Sequence, residues 1–211
     1  MKQVSSDYYL KRKYAQLERF IAYFKQIDLI LNSNARRILF IGLGDGMVVD
    51  YLKKINKDLN ITTFDFDQDL NPDTVGDIRH INFENDSFDL VVAFEVLEHI
   101  PFEDLEKTLW KLSNISKSLI ISLPHRQIGF EFLLKIPFIR TIFKREYFDI
   151  KLLLPLNFPG FKVSGQHYWE IDRSTFSLKK VKSVLNKYFN LLKLESTPLD
   201  LYRDYFVLEK K

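Results

Sequence analysis

The chain of 211 residues contains no cysteine, which excludes disulfides, thiolate metal sites and a cysteine nucleophile. It also lacks a run of about twenty uncharged apolar residues, so no transmembrane helix is expected. The first residues have no apolar core of the kind found in signal peptides. Together these absences favour a cytoplasmic protein.

Neither sign of charge is in large excess. The 31 Lys and Arg residues against 28 Asp and Glu residues give a net charge of +3. We therefore expect no nucleic acid partner, because proteins that bind polyanions usually concentrate basic residues on one face. The composition, 46% hydrophobic and 28% charged, is typical of a globular protein. Nineteen Phe and ten Tyr predict a core or a binding surface that is rich in aromatic rings.

Glycine is scarce, yet three of the seven glycines stand on alternate residues: Gly42, Gly44 and Gly46. They follow a short apolar run, residues 38–41, that is rich in strand formers, and a helical pattern begins at Met47. Glycine permits positive φ angles and removes the Cβ, so a ligand can approach the backbone. A strand that enters a glycine turn and then a helix is how open α/β sheets build nucleotide sites.

Strand and helix patterns alternate from residue 37 to residue 123. Strands are predicted at 60–66, 88–94 and 118–123, and helices at 47–54 and 103–116. A helix is also predicted over 6–31, another over 174–188, and two strands at 189–195 and 202–208 that pair as a hairpin. This alternation predicts an α/β fold with a parallel sheet and a ligand site at the carboxyl ends of the strands. We expect one domain, 1–211, with an N-terminal helix within 1–33 and an inserted cap at 125–173.

Acidic residues follow the predicted strands. Asp65 and Asp67 lie roughly twenty residues beyond the glycines, where a second strand delivers a carboxylate to ribose hydroxyls. A carboxylate offers two acceptor oxygens to the two donors of a ribose diol. Asp77 stands near the predicted third strand. Two cofactors suit this pattern: a dinucleotide and S-adenosylmethionine.

Residues within the turn favour the second cofactor. Met47 occupies the position where a dinucleotide fingerprint needs glycine or alanine. Asp45 lies where a pyrophosphate would sit and would repel it by about 1 kcal/mol or more. No Gly-Lys-Ser/Thr follows, which excludes a Walker-type phosphate site. S-Adenosylmethionine carries no phosphate, so the acidic turn suits it.

Four segments, in order, resemble class I S-adenosylmethionine-dependent methyltransferases: Ile-Gly-Leu-Gly-Asp-Gly, Phe-Asp-Phe-Asp, Val-Gly-Asp-Ile, and Asn-Asp-Ser-Phe-Asp-Leu-Val-Val-Ala-Phe-Glu-Val-Leu-Glu-His-Ile. The last is similar to the subgroup with Glu-Val-Leu-Glu-His after strand four. The resemblance covers about residues 36–124. It implies a Rossmann-like, seven-stranded, mostly parallel sheet with helices on both faces and a C-terminal β-hairpin.

The resemblance also implies which residues hold the methyl donor: Gly42, Gly44, Gly46, Asp65, Asp77, Ile78, Phe94 and Glu95. The glycines would pass beneath the methionine portion, and Phe94 and Glu95 would flank its methyl end. Asp65 would bind the ribose, with Asp67 a less favoured substitute. Asp77 would accept from the adenine amino group beside the Ile78 backbone. One position departs from the pattern, since Phe40 stands where many relatives carry an acidic residue.

The acceptor is less well defined. Methyl transfer from a sulfonium is an in-line displacement that needs a base only when the nucleophile must lose a proton. His99, His125 and His167 are candidate bases, although each can also be structural. Glu98 is interpreted as a solvated or capping carboxylate. The four histidines are scattered, and no cluster has metal-ligand spacing, so no metal is expected.

Residues 125–173 stand where this fold usually inserts its substrate-recognition element. Their aromatic residues suggest a flat, apolar or sugar acceptor. The basic apolar stretch 128–145 has two interpretations, a peripheral membrane contact or a packed helical cap. We favour the cap, because Glu131 and Pro137 interrupt the amphipathic stripe.

Methylation of a small molecule or glycan, at oxygen, is the favoured function. The alternatives are a protein or RNA methyltransferase, and a catalytically silent donor-binding module. The low net charge counts against RNA, and the intact glycines and carboxylates count against a silent module. The sequence leaves the oligomeric state open.

Overall fold

A computed structural model describes residues 16–125, 127, 129–135, 138, 148–154, 166–173 and 175–211. Its α-helices are α1 Leu17–Leu31, α2 Met47–Ile55, α3 Phe102–Ile115 and α4 Leu178–Leu185. Its strands are β1 Arg37–Ile41, β2 Asn60–Asp65, β3 Thr74–Val75, β4 Phe88–Phe94, β5 Ser116–Pro124, β6 Gly129–Leu134, β7 Phe148–Leu153, β8 Phe189–Thr197 and β9 Asp200–Lys210.

Seven strands form one sheet in the order β3-β2-β1-β4-β5-β9-β8. The pairs among β1 to β5 are parallel, whereas β9 is antiparallel to both β5 and β8. Strand β8 carries register shifts between Leu191 and Lys193 and between Glu195 and Thr197. The predicted Rossmann-like α/β fold with a C-terminal β-hairpin is confirmed.

The sheet is buried on both faces because its central strands are almost wholly apolar. Strand β4 has six of its seven residues buried, as expected for a parallel sheet covered by helices. One core contains the inward residues of α3 and α4, including Leu109 and Val181. The other contains residues of α1 and α2, including Ile30 and Leu52. Because β1, β2, β4 and β5 are parallel, their carboxyl ends lie at one edge of the sheet.

Two predicted helices differ in extent from the structure. Helix α1 begins at Leu17, and residues 6–15 of the predicted helix 6–31 lie outside the described residues. Helix α4 is shorter than the predicted 174–188, because the Ser177 side chain accepts a hydrogen bond from the Lys180 N–H and caps the helix there.

The prediction of a helical cap is wrong for residues 129–134. They form β6, which pairs antiparallel with β7 in a separate two-stranded sheet. Gly129 permits this close pairing, since an added Cβ would lie 2.4 Å from the Leu152 carbonyl oxygen. Most of the basic residues proposed to touch a membrane, at 139–147, lie outside the described residues. Within the described part of the chain, every helix is too short or too polar to cross a membrane.

Candidate functional site

The three alternate glycines form a turn between β1 and α2 in which each has a positive φ: 83° at Gly42, 59° at Gly44 and 77° at Gly46. Gly42 is further restricted, since an added Cβ would lie 2.5 Å from Cγ2 of Val96. Its N–H donates to the carbonyl of Phe64 at the end of β2. The turn therefore needs glycine for its backbone and, at Gly42, also for the space it leaves.

Helix α1 is tied to the glycine turn by a contact that the sequence did not reveal. The Tyr23 hydroxyl donates to Oδ2 of Asp45 over 2.6 Å, and Oδ1 of Asp45 accepts from the Met47 N–H at the start of α2. Asp45 thus joins two helices at the turn.

Asp65 ends β2 directly beside this turn. Its Oδ2 accepts from the Leu43 N–H at 2.7 Å, and its Oδ1 accepts from the Asp67 N–H at 2.9 Å. Burial raises the pKa of Asp65, although the two backbone hydrogen bonds favour its charged form. Asp67 is more exposed and accepts from the Asp69 N–H at the start of a short 3-10 helix. Asp65 is therefore the carboxylate that faces the glycine turn.

Asp77 and Ile78 follow β3. The Arg79 guanidinium hydrogen-bonds both oxygens of Asp77, through Nε and Nη2, and holds the pKa of that carboxyl below its usual value. The side chain of Ile78 is buried in the core. The Asp77 carboxylate is therefore ionised and paired with the Arg79 guanidinium, just beyond the carboxyl end of β3.

Phe94 and Glu95 end β4. The ring of Phe94 packs edge-on against Phe40 at 6.0 Å, so the position where relatives carry an acidic residue is part of the apolar core here. Glu95 has a positive φ of 53°, an uncommon conformation for a residue other than glycine. Its Oε1 accepts from the Ser122 hydroxyl, and its Oε2 lies 3.7 Å from Nε of Arg203. Burial raises the pKa of Glu95.

His125 lies just beyond β5 and is held at both ring nitrogens. Nδ1 is 2.7 Å from Oδ2 of Asp204, and Nε2 is 3.0 Å from Oδ2 of Asp172. Burial alone would lower the pKa of His125, but the two carboxylates outweigh it and raise the pKa. A histidine with both nitrogens paired has no free lone pair for a substrate proton. This geometry counts against His125 as the base.

His99 and His167 are brought together despite their separation in sequence, with ring centroids 4.8 Å apart. Burial and the charge of His167 lower the pKa of His99 to about 4. Nδ1 of His167 lies 2.8 Å from Oε1 of the buried Glu170. Two of the three candidate histidines therefore form one cluster, and His125 belongs to another.

Glu98 corrects two sequence interpretations. The prediction of a solvated or capping carboxylate is wrong, because Glu98 is 0% exposed and neither carboxylate oxygen has a hydrogen-bond partner among the described residues. Burial, with the nearby charge of Glu95, raises its pKa well above the usual value. The histidines are also less scattered than expected, since ligand atoms of Glu98, His99 and His167 lie within 4.8 Å of one another.

Residues 166–173 deliver His167 to this cluster. The Tyr168 N–H donates to the carbonyl of Glu98, and the Ile171 N–H donates to the carbonyl of Pro124. Trp169 is 0% exposed, donates from Nε1 to the Ile100 carbonyl, and packs on Phe102. Trp169 is therefore a core residue, and among the aromatic residues of 125–173 it is not available to stack on an acceptor. The position of residues 166–173 could not be predicted from sequence, because the preceding residues 155–165 have no regular pattern of apolar residues.

Solved structures of similar fold come from several organisms. A protein from Pyrococcus horikoshii OT3 is 14% identical, with a TM-score of 0.59 over 96% of this chain and 93% of that one. A methyltransferase from Clostridium acetobutylicum ATCC 824, described as S-adenosylmethionine-dependent, is 13% identical, with a TM-score of 0.57 over 94% of each chain. The 1,6-didemethyltoxoflavin-N1-methyltransferase from Burkholderia thailandensis is 13% identical, with a TM-score of 0.58 over 95% of this chain and 83% of that one.

Two sequence comparisons were informative in different ways. None of the curated proteins matches this chain. A family model, described as a methyltransferase domain, matches residues 9–177. The match spans the glycine turn, the acidic strand ends and the Glu98 cluster, and it confirms the resemblance inferred from the sequence motifs, while the narrower Glu-Val-Leu-Glu-His subgroup stays a prediction. The chain therefore belongs to the methyltransferase domain family and is an enzyme of that class.

Proposed function

We propose that this enzyme transfers a methyl group from S-adenosylmethionine to a small-molecule or glycan acceptor, at an oxygen atom. One observation carries the proposal of the donor. The glycine turn, Asp65, and the Asp77–Ile78 pair follow β1, β2 and β3, which are neighbours in the sheet. The residues proposed to bind the methyl donor thus follow β1, β2 and β3, whereas His99 and His125 follow β4 and β5 in the other half of the sheet.

The donor roles follow the chemistry of each group. The glycine turn would lie beneath the methionine portion, since only glycine leaves its backbone open there. The second lone pairs of the Asp65 oxygens would accept from the ribose hydroxyls, and Asp77 would accept from the adenine amino group beside the Ile78 backbone. Phe94 and Glu95 would stand beside the sulfonium, where a carboxylate favours positive charge.

Transfer itself is an in-line displacement. The acceptor hydroxyl loses its proton to a histidine base, its oxygen lone pair forms the bond to the methyl carbon, and the electron pair of the broken sulfur–carbon bond stays on sulfur to give S-adenosylhomocysteine. The enzyme contributes mainly alignment. His99 and His167 are the residues we place next to the acceptor, because the charge of His167 acts on Glu95 and Nδ1 of His99 has no hydrogen-bond partner among the described residues. His125 is assigned a positioning role.

Similar structures support a small acceptor. The Burkholderia thailandensis enzyme is described with bound 1,6-didemethyltoxoflavin and S-adenosylhomocysteine. A magnesium protoporphyrin IX methyltransferase of the same fold is described with S-adenosylhomocysteine. Both acceptors are flat, ring-containing molecules, and the low net charge of this chain argues against RNA.

A lipid-soluble acceptor is favoured over a glycan by one observation. Strands β6 and β7 pair Phe130 with Leu152 and Phe132 with Ile150 on one face, and all four side chains are more than half exposed. An exposed apolar face of this kind marks a binding surface more often than chance. Lys151, on the opposite face, donates to Ser196 and to the Thr197 carbonyl and anchors the hairpin to the main sheet.

The donor proposal is tested by thermal unfolding of the full chain. S-Adenosylmethionine and S-adenosylhomocysteine should raise the melting temperature in proportion to their binding, and NAD should leave it unchanged. The absence of a shift with either sulfur nucleotide would refute the donor.

The acceptor class is tested by labelled methyl transfer into fractionated extracts. We expect label in small molecules or lipids. Label in protein or RNA would replace our acceptor, and donor binding without transfer into any fraction would indicate a catalytically silent module.

A further inference from the structure

The cluster of Glu98, His99 and His167 has the composition of a metal site. Glu98, His99 and His167 each present one ligand atom, and these atoms lie within 4.8 Å of one another. Glu98 is fully buried, yet both of its oxygens lack a hydrogen-bond partner among the described residues. A buried carboxylate without partners is costly unless a cation or donor compensates it. The oxygens of Glu98 are therefore an acceptor pair in need of a cation.

The two imidazoles are arranged as metal ligands commonly are. Nδ1 of His99 is buried and has no hydrogen-bond partner in the described part of the chain, and a backbone hydrogen bond to Gln166 holds the ring. Nδ1 of His167 contacts Oε1 of Glu170 at 2.8 Å. When that nitrogen donates its proton to Glu170, Nε2 keeps the lone pair that a metal requires. A histidine oriented by a carboxylate in this way is a recurring second layer of metal sites.

The surroundings add negative charge. Glu95 lies close enough to act on the charge state of Glu98, and Glu170 does so as well. Arg203 and Arg173 offset part of this charge, since Arg203 approaches Glu95 and Arg173 approaches the second oxygen of Glu170. Neither arginine hydrogen-bonds Glu98, because both of its oxygens lack a partner within the part of the chain that the structure describes.

We propose that Glu98, His99 and His167 bind one divalent first-row transition metal ion, with Glu170 as the residue that positions His167. One carboxylate and two imidazoles are a ligand set typical of such ions, with open positions left for water or substrate. Magnesium and calcium, which prefer oxygen ligands, suit the site less well.

The function of the ion rests on the proposed methyl transfer. It would bind the acceptor oxygen and lower the pKa of its hydroxyl. The proton then leaves to solvent, the oxygen lone pair forms the bond to the methyl carbon, and the sulfur keeps the electron pair of the broken bond. An ion at this place would supply the activation that a histidine base supplies in the proposed function.

The first test is direct binding of Co²⁺, which is visible in its absorption spectrum. The full chain, stripped with chelator, is dialysed against Co²⁺ and assayed for bound metal and for d–d absorption. We expect one Co²⁺ per chain that excess Mg²⁺ does not displace. Substoichiometric binding, or displacement by Mg²⁺, would overturn the proposal.

Variants locate the ion. His99→Ala and His167→Ala should abolish Co²⁺ binding, and Glu170→Gln should weaken it by about 10- to 100-fold with an altered spectrum. His80→Ala is the matched control, because His80 is exposed and lies outside the cluster. Glu98→Gln should also weaken Co²⁺ binding. Because it keeps the shape of the side chain, a loss of binding in this variant is not explained by misfolding. Wild-type binding by either histidine variant or by Glu98→Gln would refute the assignment.

Binding of S-adenosylhomocysteine to the metal-free chain, measured by calorimetry, separates the two proposals. A chain that binds S-adenosylhomocysteine but fails to bind Co²⁺ would leave the donor proposal intact and refute the metal site. A chain that binds Co²⁺ but fails to bind S-adenosylhomocysteine would support the metal site and refute the donor proposal.

Discussion

At the scale of single residues, the site is built by side chains that do two things at once. Asp65 faces the proposed ribose position and also accepts the Leu43 N–H, so it joins β2 to the glycine turn. Gly42 gives the turn its positive φ and also makes room for Val96. A substitution at either residue therefore affects folding as well as binding, and tests must separate the two.

Asp65→Asn should weaken binding of S-adenosylhomocysteine by about 10- to 100-fold, because charge-assisted hydrogen bonds to the ribose are lost. Asp67→Asn should have a much smaller effect. Calorimetric titration measures both affinities, and the melting temperature without ligand reports the loss of the Leu43 contact separately. The larger loss at Asp67 would reassign the ribose ligand.

Gly42→Ala should destabilise the protein more than Gly46→Ala. Left-handed backbone costs about 1–2 kcal/mol for alanine at either position. Only at residue 42 does the new methyl group also collide, 2.5 Å from Cγ2 of Val96, whereas at residue 46 its nearest neighbour, Oδ2 of Asp50, is 3.8 Å away. Urea unfolding measures both losses. Equal losses would show that Val96 moves aside at little cost.

At the scale of elements, His125 is the joint between three parts of the chain. It stands at the end of β5, contacts Asp204 on β9, and contacts Asp172 of the segment that delivers His167. The helix α1 is joined to the glycine turn in a similar way through Tyr23 and Asp45. Side-chain hydrogen bonds thus add to backbone pairing in fixing how these elements meet around the site.

His125→Asn should cost more stability in mild acid than in mild base. The pKa of His125 is raised in the folded state. Its stabilising contribution is therefore fully present below its unfolded pKa, about 6.5, and is lost as the pH rises through the folded value. Urea unfolding of wild type and variant at about pH 6 and about pH 9 measures the difference. A difference that does not change with pH would argue against paired, charged His125.

Tyr23→Phe should lower the free energy of unfolding by about 1–2 kcal/mol, because Asp45 loses its hydroxyl donor. Binding of S-adenosylhomocysteine should weaken as well, since the glycine turn loses its link to α1. Chemical denaturation and calorimetric titration measure the two effects. An unchanged unfolding free energy would mean that the contact is replaced by water.

Several strands of the main sheet were predictable from sequence, because runs such as 88–94 and 118–123 are apolar enough to be buried on both faces. The hairpin β6–β7 was not predictable. Phe130, Phe132 and Leu134 stand on alternate residues, as in a strand, but Leu133 between them is also apolar, so the pattern fits a helix equally well. The cluster of Glu98 with His167 was also hidden. It depends on the docking of residues 166–173 through backbone hydrogen bonds, which leave no trace in residue type.

At the scale of the whole molecule, the described structure separates a donor half from an acceptor half. The proposed donor residues follow strands β1, β2 and β3, whereas Glu98 and His125 follow β4 and β5, and Arg203 lies in β9. The small sheet of β6 and β7 leaves the main sheet after β5 and presents its apolar face outward. Changes on that face should therefore leave donor binding alone.

The pair Phe130→Ser and Phe132→Ser should reduce transfer to a lipid-soluble acceptor while leaving the melting temperature and S-adenosylhomocysteine affinity near wild type. These rings are 61% and 57% exposed, so little burial is lost on substitution. Trp110→Ser, which removes an exposed ring on α3, is the control. Turnover assays with an apolar acceptor measure the effect. Equal turnover in both variants would exclude the hairpin from acceptor binding.

The irregular pairing of β8 has a consequence for self-association. A long, regular edge strand is a template on which a second copy can add a strand and begin to aggregate. Here one outer strand, β3, has two residues, and the other, β8, is interrupted by two register shifts and carries Lys193, whose side chain is 61% exposed. Within the described chain, neither border of the main sheet offers a continuous row of backbone groups, and the fold resists growth into intermolecular sheets.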